Sequence, residues 1–246
     1  AAAGDVSGTQ GQTRLTPVGR SLGSAAAGDV SGTQGQTRLT PVGRSLGSVP
    51  VFRAGALTIG LLPGSREQEI RRIAPVMAGV GAGILKEHPD ARFVVPCVNE
   101  ARARQVQTLI GDLPVDILIG GMHDALSISR CCLVASGTAT IEATLFGVPM
   151  AIVYKVNPFS YYLARLLVRI RHIGMVNILA EREIAPEFIQ HTATVDNILP
   201  FMLEIIEDGE RRRRMIEDLR EIRNRLGGPG ASERAAAQIL RLLDVG

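Results

Sequence analysis

Residues 133–154 constrain the fold of this chain more than any other stretch. They contain two short apolar runs, 133–135 and 150–154, that are typical of buried strands. The residues between the runs predict a tight turn and a short helix, which Gly147 and Pro149 would end. Two buried strands joined by one helix form a parallel βαβ unit, so this stretch predicts an α/β fold.

The turn inside this unit consists of Ser136, Gly137 and Thr138. Small side chains at the carboxyl end of a strand leave backbone N–H groups accessible, and the positive end of the helix dipole favours an anion there. Glu142 comes four residues after Thr138, so both lie on one helix face. A phosphate at the turn and a ribose on the carboxylate fit this spacing, which predicts a nucleoside-diphosphate site. For Glu142 alone, a favourable interaction with the helix dipole is the alternative.

Apolar runs also predict buried strands at 57–62, 92–97 and 115–119, each followed by a helical segment. Strands that alternate with helices in this way predict a doubly wound, Rossmann-like parallel sheet in an α/β protein. Ligands of such sheets bind at the carboxyl ends of the strands. The residues that directly follow each strand are therefore the candidates for ligand binding.

Gly64, Ser65 and Arg66 follow the strand at 57–62. The glycine leaves room for a ligand, the serine offers a hydroxyl, and the guanidinium has donors that suit a phosphate. A helix cap with a surface arginine is the alternative, but the similar turn at 136–138 in the same sheet favours a binding site. His123 follows the glycines of another loop at this edge, which makes it a further candidate.

After residue 154 the sequence predicts mostly helices. A helix at 158–170 carries aromatic residues and arginines, which suits an anionic membrane surface or packing against another domain. We expect a loop at 172–182 and a helix that starts at 186–190. The remaining segments predict three C-terminal helices, at 195–207, 210–226 and 231–244.

Residues 1–53 differ in character from the rest of the chain. Residues 1–24 recur without change as residues 25–48, and both copies are rich in Gly, Ser and Thr. Two copies with few large apolar residues cannot bury a shared face, so we expect a mostly disordered leader. The folded domain is then expected to comprise residues 54–246.

Charge and cysteine content exclude several classes of protein. The net charge of +3 arises within residues 1–53, because residues 54–246 carry 22 basic and 22 acidic residues, so no nucleic-acid surface is expected. No apolar run approaches the roughly 18–20 residues of a membrane span, and no signal peptide begins the chain. Cys97, Cys131 and Cys132 lack metal-ligand spacing, which predicts core residues of a cytoplasmic protein and no metal site.

An ordered set of motifs from about residue 57 to the C-terminus resembles the lipid-A-disaccharide synthase family. The motifs are Leu-Leu-Pro-Gly-Ser-Arg-x-x-Glu-Ile at 61–70, Ala-Ser-Gly-Thr-Ala-Thr-Ile-Glu at 135–142, Asn-Ile-Leu-Ala at 177–180 and Pro-Glu-Phe-Ile-Gln at 186–190. The resemblance implies the C-terminal, donor-binding half of a GT-B glycosyltransferase. Such an enzyme transfers diacylglucosamine from UDP to diacylglucosamine 1-phosphate, which forms the β-1′,6 disaccharide of lipid A and releases UDP.

The resemblance also implies partners and a location. The substrates would be UDP-diacylglucosamine and acylated glucosamine 1-phosphate, with no metal and no cofactor. The enzyme would be a peripheral protein on the cytoplasmic face of the inner membrane of a Gram-negative bacterium. The oligomeric state is left open, with a homodimer as one alternative. Two other functions fit the same residues: a non-catalytic UDP-sugar-binding module, and another GT-B enzyme that uses UDP-N-acetylglucosamine.

Carried over by position, the resemblance implies a set of donor-binding residues. Arg66 would contact the leaving-group phosphate, and Glu142 would hold the ribose. The complete set is Gly64, Ser65, Arg66, His123, Ser136, Gly137, Thr138, Glu142, Asn177, Glu187 and Gln190. The general base would come from the family's N-terminal domain, of which this chain matches only Gly-Asp-Val-Ser-Gly at 4–8 and 28–32. We therefore do not expect disaccharide synthesis from this chain alone.

Overall fold

A computed structural model describes residues 39–41, 57–157, 171–227 and 230–243. Within these residues the strands are β1 (Leu39–Pro41), β2 (Thr58–Leu62), β3 (Arg92–Cys97), β4 (Val115–Ile119), β5 (Cys131–Ala135), β6 (Met150–Tyr154) and β7 (Glu187–Ile189). The helices are α1 (Glu67–Glu87), α2 (Glu100–Ile110), α3 (Met122–Ile128), α4 (Ala139–Phe146), α5 (Met175–Ala180), α6 (Val195–Ile206), α7 (Glu210–Leu226) and α8 (Ala231–Leu243). A single 3₁₀ turn, Gln190–Thr192, follows β7.

The strands form one sheet in the order β1-β4-β3-β2-β5-β6-β7. Strands β2 to β7 are all parallel, and β1 pairs antiparallel with β4 at one edge. From β2 the sheet grows through β3 and β4 on one side and through β5, β6 and β7 on the other. The direction of growth reverses between β2 and β5, which is the switch point of a doubly wound α/β sheet. The predicted fold class is confirmed.

The core lies around the central strands. Every residue of β2, β5 and the first part of β6 is buried, because helices cover both faces of a parallel sheet. Helix α1 packs against α2 and α6, whereas α4 packs against α3, α5 and α7. Right-handed crossovers on either side of the switch point place these two groups on opposite faces of the sheet.

Local signals explain several helix boundaries. The side chain of Asn99 accepts a hydrogen bond from the backbone N–H of Arg102 at the start of α2, and Thr194 does the same for Asn197 at the start of α6. Helix α4 ends at Gly147, whose φ of 66° is the left-handed conformation expected of a glycine cap. Helix α1 runs through Pro75, which is exposed.

Two predictions after residue 171 are wrong. The expected loop at 172–182 contains helix α5, and the expected helix at 186–190 is instead strand β7 followed by the 3₁₀ turn. Strand β7 forms because the edge of β6 has free backbone groups, which it pairs in register Ile152 with Glu187. The predicted helix at 158–170 lies outside the described residues.

Strand β1 lies within the segment for which the sequence predicts no regular structure. Its three residues pair with β4 in register Leu39 with Leu118. The free backbone groups of β4 at the sheet edge stabilise this strand, and they are distant in sequence, so the local pattern at 39–41 does not predict it. The rest of residues 1–53, and with it the predicted leader, lies outside the described part of the chain.

No helix among the described residues is both long and apolar enough to cross a lipid bilayer.

We expect Leu133→Ala to lower the free energy of unfolding by about 2–5 kcal/mol, because Leu133 is fully buried in central strand β5 and its loss leaves a cavity. Leu240→Ala is the matched control, since Leu240 on α8 is 59% exposed; it should change stability by less than about 0.5 kcal/mol. Chemical denaturation followed by circular dichroism measures both. Equal effects of the two substitutions would contradict the assignment of β5 to the core.

Candidate functional site

A cavity of about 650 Å³ lies at the carboxyl edge of the sheet, at the switch point. Leu62 pairs with Val134, so the turns that follow β2 and β5 lie side by side. Residues 64–66 and 136–139 line the cavity from these two turns. The ends of β3, β4 and α5 complete its wall. This is the position at which ligands bind in doubly wound folds.

Two helices begin at this cavity, α1 directly after Arg66 and α4 directly after Thr138. Among the described residues, the backbone N–H groups of Gly137, Thr138 and Ala139 have no hydrogen-bond acceptor. Free N–H groups at a helix start, together with the positive end of the helix dipole, stabilise an anion. The start of α1 brings the guanidinium of Arg66 to the same cavity, so the two turns together suit a ligand with two adjacent phosphates.

Gly64 makes the first turn possible. It has a φ of +99°, and a Cβ on it would lie 2.5 Å from Oε2 of Glu69. A residue with a side chain would therefore be strained and would collide with this carboxylate. The glycine lets the backbone of the turn approach both Glu69 and the cavity, as the sequence predicts for a residue that leaves room.

Arg66 projects from the start of α1 with its side chain 83% exposed. One guanidinium nitrogen, Nη1, donates to Oε1 of Glu69 at 3.2 Å, and the Arg66 backbone N–H donates to Oε2 of the same carboxylate at 3.3 Å. An exposed pair of this kind is weak and rearranges readily. The guanidinium can therefore turn toward a phosphate in the cavity while Glu69 still caps the helix.

Glu142 lines the cavity opposite Arg66's turn, from the first turn of α4. Its backbone N–H donates to the carbonyl of Thr138 at 3.1 Å, which confirms that the two residues are one helical turn apart. Its Oε2 lies 3.6 Å from Nε2 of His123, whose ring contacts Phe146 at 5.4 Å between centroids. His123 itself does not line the cavity but contacts it through Glu142.

The hydroxyl of Ser136 is engaged within the protein. Its Oγ donates to the carbonyl oxygen of Ile173 at 2.8 Å. A hydroxyl has one proton, so in this arrangement Ser136 cannot also donate to a phosphate. Thr140 stabilises the same turn, because its Oγ1 donates to the carbonyl oxygen of Gly137 at 2.7 Å. The donors that this turn offers to an anion are therefore its backbone amides and the exposed hydroxyl of Thr138.

The structure does not bring Asn177, Glu187 and Gln190 to the cavity wall. Asn177 is fully buried, and its amide bonds to backbone groups of Ile184 and Ala185 and to Glu187. Gln190 bonds to both backbone groups of Val156. Their hydrogen-bonding groups are occupied inside the chain, so the geometry supports a structural role rather than direct contact with a ligand in the cavity.

Several cavity residues escape the sequence analysis. Glu69 was visible only as part of a motif, although its position three residues after a helix start is typical of a capping box. Val98 and Met122 follow β3 and β4, so the rule on carboxyl ends could have placed both at the cavity. Met175 gives no such signal, because helix α5 was not predicted.

Cys97 lies at the cavity but is not suited to nucleophilic catalysis. Burial raises the pKa of its thiol to about 11, so it stays protonated at neutral pH. Among the described residues, no group of three or more His, Cys, Asp or Glu side chains is arranged to hold a metal ion. The polar groups at this site are backbone amides, the guanidinium of Arg66, the carboxylates of Glu69 and Glu142, and the hydroxyls of Ser65, Ser136 and Thr138.

The family model for lipid-A-disaccharide synthetase matches residues 53–241. The chain belongs to this family. Lipid-A-disaccharide synthase of Syntrophus aciditrophicus (strain SB) is 37% identical over 194 residues, which cover 78% of this chain and 51% of that protein. The enzyme of Nitrosococcus oceani is 34% identical over 189 residues, covering 76% of this chain and 49% of its own length. The chain spans about half the length of these curated relatives.

Solved structures outside the lipid-A-disaccharide synthetase family share the fold. The Staphylococcus aureus MnaA–UDP structure has a TM-score of 0.50 at 19% identity, covering 78% of this chain and 47% of that one. The calicheamicin glycosyltransferase CalG4 has a TM-score of 0.50 at 17% identity, covering 77% of this chain and 44% of that one. At these identities the likeness supports the Rossmann-like sheet and nothing about the ligand.

We expect the three thiols to react only when the chain unfolds. Burial raises the pKa of Cys97 to about 11 and of Cys131 to about 12, and it raises the pKa of Cys132 as well. Thiolate and access are both needed for attack on a disulfide reagent. Titration with Ellman's reagent in buffer and in guanidinium chloride measures this. A fast phase in buffer that disappears in Cys97→Ala would show instead that the cavity contains a reactive thiol.

Proposed function

We propose that this chain is the donor-binding half of a lipid-A-disaccharide synthase, and that its cavity binds the UDP moiety of UDP-diacylglucosamine. Together with an acceptor half, it would transfer diacylglucosamine to diacylglucosamine 1-phosphate, which yields the β-1′,6 disaccharide and UDP. The observation that carries the proposal is the convergence of two helix starts and Arg66 on one cavity that also contains Glu142.

The amides of 137–139 and the guanidinium of Arg66 would bind the diphosphate. When the glycosidic bond to UDP breaks, negative charge develops on the leaving phosphate oxygens. Fixed N–H donors and a guanidinium at that position stabilise this charge more than the ground state, which lowers the barrier. Arg66 suits the role because only one of its side-chain nitrogens donates within the described residues.

Glu142 would bind the ribose, since a carboxylate accepts hydrogen bonds from two neighbouring hydroxyls. Glu142 lies about one helical turn beyond the amides of 137–139. This separation suits a nucleotide whose ribose binds Glu142 while its diphosphate binds the amides. His123, 3.6 Å from the same carboxylate, would restrict its orientation. The loop that contains Gly120 and Met122 also lines the cavity, and we assign the uracil to this side.

A second candidate function is UDP binding without transferase activity. It rests on the same cavity, because backbone amides at 137–139 and the guanidinium of Arg66 suit a diphosphate whether or not a transfer follows. Isothermal titration of this chain with UDP, and a product assay with both acylated substrates in the presence of the acceptor half of a relative, separate the two. Binding with disaccharide formation supports the transferase, binding alone supports the second candidate, and absence of UDP binding contradicts both.

We expect Glu142→Ala to weaken UDP binding by about 1–3 kcal/mol, because charge-assisted hydrogen bonds to the ribose are lost. Glu217→Ala is the matched control, since Glu217 is an exposed carboxylate of α7 outside the cavity. Calorimetry on both variants measures the difference. Unchanged affinity in Glu142→Ala would remove this residue from the site.

We expect Arg66→Ala to weaken binding of UDP at least tenfold but to leave the binding of uridine nearly unchanged, because the guanidinium is assigned to the phosphates. The control Arg71→Ala removes an exposed arginine of the same helix that does not line the cavity. Competition titrations with the two ligands provide the measurement. An equal loss for uridine and UDP would place Arg66 away from the diphosphate.

The donor itself distinguishes this family from other users of UDP-sugars. A lipid-A-disaccharide synthase should bind UDP-diacylglucosamine more tightly than UDP-N-acetylglucosamine. Competition of both compounds for bound UDP tests this. Equal affinities would favour an enzyme that acts on the unacylated sugar.

A further inference from the structure

The most completely bonded acidic group in the described chain lies outside the cavity wall. The side chain of Glu187, on β7, is 5% exposed. Its Oε1 accepts hydrogen bonds from the backbone N–H of Gly174 at 2.9 Å and from Nδ2 of Asn177 at 2.8 Å. Its Oε2 accepts from the N–H of Ile173 at 2.9 Å. A buried carboxylate is stable only when donors of this kind replace water.

One peptide group joins this carboxylate to the cavity. The N–H of Gly174 donates to Glu187. The carbonyl oxygen of the same peptide group, that of Ile173, accepts a hydrogen bond from Oγ of Ser136 at 2.8 Å. Bonding at the N–H end polarises a peptide group, which makes its carbonyl a better acceptor. Glu187 therefore fixes and strengthens the acceptor that holds the first residue of the cavity turn.

The neighbouring residues leave this peptide group little freedom. A Cβ on Gly174 would lie 2.4 Å from Cδ1 of Ile152 and 3.1 Å from Oε1 of Glu187, so the backbone passes close to β6 and to the carboxylate. Asn177 also bonds to the backbone of Ala185, which lies just before β7. The next residue along the chain after Gly174 is Met175, which lines the cavity.

We infer that Glu187 is a positioning residue of the nucleotide site: through the peptide group between Ile173 and Gly174 it holds Ser136, and with it the row of amides at 137–139, in place for a diphosphate. Glu187 does so without contacting the ligand. The inference rests on the proposed function, because it takes UDP as the ligand of the cavity. It assigns the effect of this side chain to the phosphates and not to the nucleoside.

The test uses Glu187→Gln in the full chain. Glutamine keeps the size of the side chain but replaces one acceptor oxygen with an NH₂ group, which faces backbone donors. We expect the dissociation constant for UDP to rise about tenfold, which is the effect of losing one charged hydrogen-bond partner, whereas that for uridine changes less than about twofold. Glu183→Gln is the matched control, since Glu183 is an exposed carboxylate near β7.

A double-mutant cycle distinguishes positioning from a general loss of stability. Ser136→Ala removes the hydroxyl that bonds to Ile173. If Glu187 acts through this link, Ser136→Ala weakens UDP binding in the wild-type background and has little further effect in Glu187→Gln. Additive losses for UDP, or equal losses for UDP and uridine, would overturn the inference.

Two outcomes separate this inference from the proposed function. If the wild-type chain does not bind UDP, the proposed function fails. If it binds UDP and Glu187→Gln binds equally well, only the positioning role fails. Should Glu187→Gln not fold, Ser136→Ala decides the question, because unchanged UDP affinity in that variant overturns the role of the link.

Discussion

The pairing of β2 with β5 is the interaction on which the rest of the structure depends. Because Leu62 and Val134 are in register, the residues that follow them emerge at the same level of the sheet. The helices that start there then diverge to opposite faces, since both crossovers are right-handed. The register of these two strands therefore brings two helix starts to one cavity. A slip of this register would separate the two turns and remove the cavity between them.

The position of this pair in the sheet also makes the site rigid. Strands β2 and β5 are buried on both faces, so the turns that follow them extend from the most stable part of the domain. The charged side chains of the site are less enclosed, because Arg66 is exposed and Glu142 is half-buried. Such a division suits a site that must fix its amides in advance and still allow a large ligand to enter and leave.

The sequence predicts this part of the molecule well because local pattern and tertiary position agree there. Doubly buried strands read as apolar runs, and Gly147 marks the end of α4 by its conformation. Residues 171–192 are different, because β7 has three residues and α5 has six, which is too short for a periodic pattern. Their structure is decided by β6, which offers free backbone groups, and by Glu187, which bonds to the start of α5. Neither of these two contacts can be predicted from the local pattern of the segment.

The same limit applies to the assignment of site residues. A motif shows which residues belong together, but it does not show whether a side chain contacts a ligand or holds the backbone that does. Hydrogen-bonding capacity decides between these roles. The amide of Asn177 makes four hydrogen bonds inside the chain, which is its full capacity, so contact with a ligand would break one of them. Arg66 has five N–H donors and uses one within the described residues, so it can bind a phosphate at little cost. The contrast supports the proposal that the exposed turn at 64–66 contacts the ligand and that the buried groups behind the turn at 136–138 position it.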